Sequence, residues 1–324
     1  MRVGILGGGA WGTALACVLA GKGTPVTLWA REGEVVDAVN AGQGNPRFLP
    51  GIALPAGIVA TTRLSDLEGC DPWLVVAPAQ HLRSVLTAAP PGPRTLLLCA
   101  KGIEAGTHLL MAEVAAAANP AATCAVLSGP TFAAEVAAGK PTAITLACAD
   151  AAIGESLVEL LATPAFRPYL TDDVTGAEIG GAVKNVLAIA CGVVIGRGLG
   201  ENARAALLSR GFAEMLRFAL ARGARAATLN GLSGLGDLVL TCGSPKSRNM
   251  SLGIAIGEGG SAAALLASRD TVAEGAATAP VLVAAAQRCG VEMPIATAVV
   301  ALLDGAAVGP TIEALLSRPL GREG

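Results

Sequence analysis

The sequence predicts an α/β fold in two parts: an N-terminal doubly wound sheet covered by helices, then a second domain of helices alone. Three observations predict it. Short, almost continuously apolar runs alternate with helical periodicities through the first half of the chain, the pattern of strands buried on both faces. A glycine-rich turn joins the first apolar run to the first helical stretch. From Asp172 onward the strand pattern stops and helical periodicity dominates.

The first element opens an uncharged stretch, Val3 to Gly21, "VGILGGGAWGTALACVLAG", bracketed by Arg2 and Lys22. Its length would suit a membrane span or a secretory signal. Gly4, Gly7, Gly8, Gly9 and Gly12 crowd its front half, and each costs a helix interior roughly 1 kcal/mol against alanine. Gly7, Gly9 and Gly12 instead spell G-x-G-x-x-G between a strand at 2–6 and a helix at 12–21, the context of a dinucleotide-binding, Rossmann-type turn. There the first glycine makes the tight turn, the second lets backbone N–H groups approach a pyrophosphate, and the third lets the helix pack close. The helix N-terminus adds unpaired N–H groups and a positive dipole end.

Further strands are expected at 25–29, 57–60, 73–77, 94–99, 123–128, 142–148 and 166–170, with helices at about 32–41, 80–88, 106–118 and 150–162. The pattern implies a parallel sheet. The domains are expected at 1–171, binding the dinucleotide, and 172–324, carrying substrate and catalysis. Ligands in such folds gather at the carboxyl ends of the strands and between domains. At those ends stand Pro78-Ala79-Gln80, then Lys101-Gly102-Ile103-Glu104, then Pro130-Thr131-Phe132. Lys101 reads equally as a solvated loop lysine or as a site residue. After the second strand comes "LWAREGE", where the adenosine ribose is expected. A carboxylate there prefers the free 2′-hydroxyl of NAD, whereas an arginine pairs with the 2′-phosphate of NADP. Arg31 stands first, which favours NADP(H) and keeps NAD(H) open.

In the helical half, Lys184 is the only charge between Glu178 and Arg197. An ammonium in such surroundings either snorkels to water or has its pKa depressed by burial, and a depressed pKa suits proton transfer near neutrality. Asn185 beside it could orient a hydroxyl. Asp237 is the only charge between Arg225 and Lys246, and reads as a helix N-cap or as the ion partner of Lys184. "GSPKSRNMSLG" sets Lys246, Ser247, Arg248 and Asn249 ahead of a helix, donors suited to a phosphate. Glu274 is the only charge between Asp270 and Arg288.

Composition narrows the classes. A net charge of −2 gives no electrostatic footprint for nucleic acid or an anionic membrane, and 3% aromatic residues leave few stacking platforms. The 8 cysteines show no C-x-x-C, most lie in apolar runs, and the 2 histidines lack ligand-spaced partners. No metal site is expected, and free buried thiols suit a reducing cytoplasm.

Taken in order, "GGGAWGTALA", "NPRFLPGIALP", "AKGIE", "SGPTFAAEVA", "GGAVKNVLAIACG", "GLSGLGDLVLTC", "SPKSRNMSLG" and "VAEGAATAPVL" resemble the bacterial NAD(P)-dependent glycerol-3-phosphate dehydrogenases over nearly the whole chain. The resemblance implies reversible reduction of dihydroxyacetone phosphate to sn-glycerol 3-phosphate, the backbone precursor of phospholipids. It implies that Lys184 transfers the proton with Asp237 near it. Lys101, Gly129 and Thr131 would contact substrate, and Ser247, Arg248 and Asn249 would hold its phosphate end. Trp11, Arg31, Lys101, Ala133, Arg248, Val272 and Glu274 would line the cofactor beside Gly7, Gly9 and Gly12. Ala10 departs from the serine of many members, and the backbone contacts of the turn survive that change. The expected partner is a small phosphorylated substrate, with no nucleic acid and no membrane span, and with a homodimer as the admitted oligomer. Two rival readings are a β-hydroxyacid-type reductase on a related fold, though that group usually separates the lysine and asparagine that adjoin here at 184 and 185, and a non-catalytic NADP(H) sensor.

Overall fold

The computed structural model describes residues 1–90, 95–268 and 273–319. The first half alternates strand and helix: β1 (Val3–Leu6), α1 (Ala10–Gly21), β2 (Val26–Trp29), α2 (Gly33–Asn40), β3 (Ile58–Thr61), β4 (Trp73–Val75), α3 (Leu82–Ala88), β5 (Thr95–Leu98), α4 (Met111–Ala118), β6 (Thr123–Ser128), α5 (Ala133–Ala137), β7 (Thr142–Cys148), α6 (Ala151–Leu161) and β8 (Phe166–Thr171). The strands form one sheet in the order β3-β2-β1-β4-β5-β6-β7-β8. The apolar runs have their cause in burial on both faces. Ile5, Leu28, Leu74, Leu97 and Leu127 pack on one side with Leu15 and Leu19 of α1. Leu6, Trp73, Val75, Leu96 and Leu98 pack on the other with Leu82 and Leu86 of α3 and Val114 of α4.

The sheet is not wholly parallel. β7 runs antiparallel to β6, with Val126 opposite Ala147, whereas β7 and β8 are parallel across α6. Only the five-residue α5 lies between β6 and β7. So short a helix leaves the chain at the same end of the sheet, and β7 returns from there. Two helices also start later than their periodicity suggests. A 3₁₀ turn at Ala79–His81 precedes α3, and an irregular segment in which His108 takes φ +62° precedes α4.

The second half is helical: α7 (Val174–Gly196), α8 (Gly200–Ala221), α9 (Ala226–Leu229), a π turn at Leu232–Gly236, α10 (Asp237–Cys242), α11 (Arg248–Gly257), α12 (Ala262–Ala267), α13 (Glu274–Arg288), α14 (Pro294–Leu303) and α15 (Val308–Leu316). Asp173 caps α7, accepting from Gly176 N at 2.8 Å, and its other oxygen accepts from Arg225 N at 2.9 Å. Among the described residues α7 alone is long and apolar enough to cross a bilayer, and it lies buried at the centre of the helical half. α11 lies backbone to backbone against it: a Cβ on Gly253 would stand 2.0 Å from the Ile189 carbonyl oxygen, and one on Gly192 would stand 2.2 Å from that of Met250. The uncharged opening stretch of the chain is β1, the glycine turn and α1.

Two buried glutamates cap helices from a distance. Glu178 of α7 accepts from Ala112 N at 2.7 Å, at the start of α4. Glu214 of α8 accepts from Ile295 N at 2.8 Å and Ala296 N at 3.3 Å, at the start of α14. Neither receiving helix has a side-chain acceptor at its own N-cap, Leu110 and Met293, so the orphan N–H groups are satisfied across the core. Burial pushes the Glu178 carboxyl up to about 8 and Glu214 up to about 7.

A raised carboxyl pKa contributes stability that is full below the ordinary value of 4.5 and is lost as pH rises through about 8. Glu178→Gln keeps an acceptor without the charge. Its denaturant midpoint relative to wild type is expected to rise between pH 4.5 and pH 8. A difference independent of pH would remove the raised carboxyl from the account.

Candidate active site

The glycine turn sits where the strand order reverses, between β2 and β4 on either side of β1. Gly7 adopts φ +134° and donates to the Trp29 carbonyl at 3.0 Å. Gly12 lies so close beneath it that a Cβ would stand 1.9 Å from Gly7 O. Gly9, the N-cap of α1, differs: a Cβ there would meet nothing within 4 Å. The first bond of the helix is Thr13 N to Gly9 O at 3.0 Å, so the N–H groups of Ala10, Trp11 and Gly12 have no intrahelical acceptor. No acidic side chain occupies that first turn. The turn therefore fits a pyrophosphate.

Asn45 supports this turn, and the sequence reading did not single it out. Its Nδ2 donates to Gly8 O at 2.9 Å and to Thr13 Oγ1 at 2.8 Å, while its Oδ1 accepts from Phe48 N at 3.2 Å. The signal was an asparagine before a proline in "NPRFLPG". Arg31 follows β2 with its side chain 81% exposed, and it pairs with Glu32 at 3.0 Å. Ala133 begins α5, which packs against α1.

The second cluster joins both halves of the chain. Lys184 Nζ donates to Asp237 Oδ1 at 2.5 Å and to Thr241 Oγ1 at 3.0 Å. Lys101 Nζ donates to the other oxygen, Asp237 Oδ2, at 2.7 Å and to Gly129 O at 3.2 Å. Asp237 is 0% exposed and Lys184 is 7% exposed. Asp237 is the ion partner of both lysines; the N-cap of α10 is Gly236. Lys101 is accordingly no solvated loop lysine. Glu104 of the same "AKGIE" stretch is held by Arg83 at 2.8 and 2.9 Å.

Glycine lets these elements meet. A Cβ on Gly181, on α7, would stand 2.7 Å from Ser128 Oγ and 3.2 Å from Lys101 Cγ, so the helix lies directly on the ends of β5 and β6. A Cβ on Gly180 would stand 2.3 Å from Ser233 O of the π turn that delivers Asp237. Thr241 enters because it lies one helical turn beyond Asp237, and its hydroxyl donates to Asp237 Oδ1 at 3.2 Å. That i, i+4 spacing was the available signal. Thr131 Oγ1 donates to Gly129 O at 3.3 Å, which brings it to the same edge.

Desolvation lowers the Lys184 pKa to about 8; Asp237 opposes the fall and the Lys101 charge adds to it. Glu274 is half-buried, and burial raises its carboxyl against the opposing pull of Arg248, Lys101 and Lys184. Ser247 caps α11, accepting from Met250 N at 3.3 Å, and the exposed Arg248 is the first residue of that helix. Asn249 bridges α7 to α13: its Nδ2 donates to Asn185 Oδ1 at 2.9 Å and its Oδ1 accepts from Gly275 N at 3.0 Å. Lys246 turns away to pair with Glu135 at 3.3 Å. Val272 lies outside the described residues.

Residues 2–153 match the family profile of the NAD-dependent glycerol-3-phosphate dehydrogenase N-terminus, and residues 173–310 match that of its C-terminus. A glycerol-3-phosphate dehydrogenase [NAD(P)+] of Erythrobacter litoralis is 60% identical over 322 residues, covering 99% of this chain and 98% of the relative. One of Novosphingobium aromaticivorans is 61% identical over 327 residues, with the same coverage. The crystal structure of glycerol-3-phosphate dehydrogenase from Coxiella burnetii superposes with a TM-score of 0.93 at 40% identity, covering 98% of this chain and 99% of that one.

The two glycines make a paired test. Gly9→Ala is expected to weaken ADP-ribose binding at least about tenfold by calorimetry, with a stability cost below about 1 kcal/mol. Gly12→Ala is expected to lose about 1–3 kcal/mol or more of stability. Equal behaviour of the two variants would contradict the distinct roles assigned to them.

Proposed function

The chain belongs to the NAD-dependent glycerol-3-phosphate dehydrogenase family, and from that we propose that it reversibly reduces dihydroxyacetone phosphate to sn-glycerol 3-phosphate, with NADP(H) favoured and NAD(H) accepted. The observation that carries the reading is the Lys101–Asp237–Lys184 centre, buried where the strand ends of the first half meet the helices of the second. It supports a dinucleotide-binding domain at 1–171 and a substrate domain at 172–324; β8 ends at Thr171 and α7 begins at Val174. The eight cysteines are unpaired thiols, six of them buried, in keeping with a cytoplasmic enzyme. Its product is a precursor for glycerophospholipid synthesis.

The bound nicotinamide supplies or takes the hydride. Gly7, Gly9, Ala10, Trp11 and Gly12 hold the pyrophosphate end, and Arg31 the ribose end. Ala133 and Glu274 line the rest, and the resemblance assigns the same role to Val272. Ser247, Arg248 and Asn249, at the start of α11, hold the substrate phosphate, and Lys101, Gly129 and Thr131 border its carbonyl end. Lys184, protonated below about 8, donates to the carbonyl oxygen as it becomes an alkoxide. Lys101 adds positive charge at that oxygen. In the reverse direction the neutral amine of Lys184 takes the hydroxyl proton. Asp237 keeps the ammonium in place and Thr241 orients it. A sensor of coenzyme state has no need of such a proton donor.

NADPH oxidation with dihydroxyacetone phosphate tests the whole reading, and a 2-keto acid serves as the rival substrate. Lys184→Ala is expected to lower kcat by about 10²–10⁴, whereas Arg248→Ala chiefly raises KM for the phosphorylated ketone. Wild-type kinetics in both variants would overturn the site assignment. Ketone reduction should fall as pH rises through about 8, where Lys184 loses its proton. Asp237→Asn should move that limb lower, since the carboxylate raises the lysine pKa. A limb that stays put would remove Lys184 as the titrating acid.

A further inference from the structure

Two guanidinium–carboxylate pairs lie by the end of β2 and the start of α2, where the coenzyme assignment puts the adenosine ribose. Arg31 bonds Glu32 through Nε at 3.2 Å and Nη2 at 3.0 Å. Arg47 bonds Glu34, in the first turn of α2. Both pairs lie by the glycine turn. A Cβ on Gly8 would stand 2.4 Å from the Ala30 Cβ and 3.6 Å from Val35 Cγ1, so the end of β2 and the start of α2 back directly onto it. Asn45, bonded to Gly8 O and Thr13, anchors the segment that carries Arg47 to the same turn. The Arg47 guanidinium then lies over the Phe48 ring, 5.1 Å from its centroid.

Resting on the coenzyme assignment above, we propose that Arg47 is the second guanidinium of the 2′-phosphate site and that Glu34 holds it when no 2′-phosphate is bound. Two arginines and two glutamates leave the corner formally neutral. A ribose with a free 2′-hydroxyl meets Glu32 as an acceptor while both arginines stay paired. A 2′-phosphate is repelled by the carboxylates and draws both guanidiniums onto itself. The Arg47–Glu34 pair is exposed on both sides, at 46% and 64%, and exposed pairs are weakly held. A phosphate dianion makes stronger, bidentate, charge-assisted contacts with the same group. The exchange therefore lets one corner accept both coenzymes, and the sequence near the ribose, where arginine and glutamate adjoin, is not a choice between them.

The test uses ligands that undergo no hydride transfer. ADP-ribose and 2′-phospho-ADP-ribose are titrated calorimetrically into the intact protein and its Arg47→Ala and Glu34→Gln variants. Arg47→Ala is expected to lower the affinity ratio of the phosphorylated over the plain ligand about tenfold or more, and to flatten the salt dependence of that ratio. Glu34→Gln is expected to raise the ratio, and Arg47→Lys to restore part of it. An equal loss for both ligands in Arg47→Ala would make Arg47 a brace for the Asn45 segment and overturn the inference, as would an unchanged ratio. Wild-type protein that binds neither ligand would overturn the coenzyme assignment itself.

Discussion

One buried carboxylate holds the two halves of this protein in register. Asp237 gives one oxygen to Lys184 of the helical half and the other to Lys101 of the sheet half. A carboxylate taken from water without partners would be protonated or would destabilise the fold by several kcal/mol. With both lysines charged, the carboxylate between them offsets their mutual repulsion. The three groups therefore require one another, and they can meet only where the carboxyl ends of β5 and β6 touch α7. The position of this cluster is set by an electrostatic constraint as much as by packing.

α7 is the element that makes this contact affordable. Its glycines face partners on three sides: Gly181 faces the sheet, Gly180 the π turn, and Gly192 the helix α11. Side chains at those points would hold the neighbouring backbones apart and separate Lys184 from Lys101 and Asp237. The same closeness places Asn185 within reach of Asn249, and Asn249 within reach of Gly275. The start of α11, to which a phosphate-holding role is proposed, is thus positioned relative to Lys184 by a hydrogen-bonded bridge. The helix reads as a membrane span by composition alone because the interior of a helical domain is as apolar as a bilayer.

The coenzyme end follows a different logic. There the backbone carries the site, with charge added at its margin. Gly7, Gly9 and Gly12 serve a turn, an open approach and a close packing respectively. Asn45 fastens a loop from beyond α2 to that turn, so a segment distant in sequence borders the end of β2, where the ribose is proposed to lie. Of the charges at that corner Arg31, Arg47 and Glu34 are exposed and Glu32 is half-buried, whereas the Lys101–Asp237–Lys184 cluster is buried, and exposed pairs exchange partners at little cost.

Strand positions, the dinucleotide turn, the helical second half and the singular character of Lys184 were all determined by the sequence alone. Each is a local property: a run buried on both faces, a glycine spacing, a charge without charged neighbours. Tertiary structure decided what depends on distance in space. It alone turned β7 antiparallel, because chain reversal depends on where the short α5 leaves the strand. It alone gave Lys101 a partner 136 positions away and gave Lys184 one 53 positions away. The helix-capping roles of Glu178 and Glu214, the bridge through Asn249 and the anchoring by Asn45 belong to the same class. Hydropathy and periodicity report whether a side chain will be buried, but the partner that makes burial of a polar group tolerable is chosen only when the helices and the sheet come together.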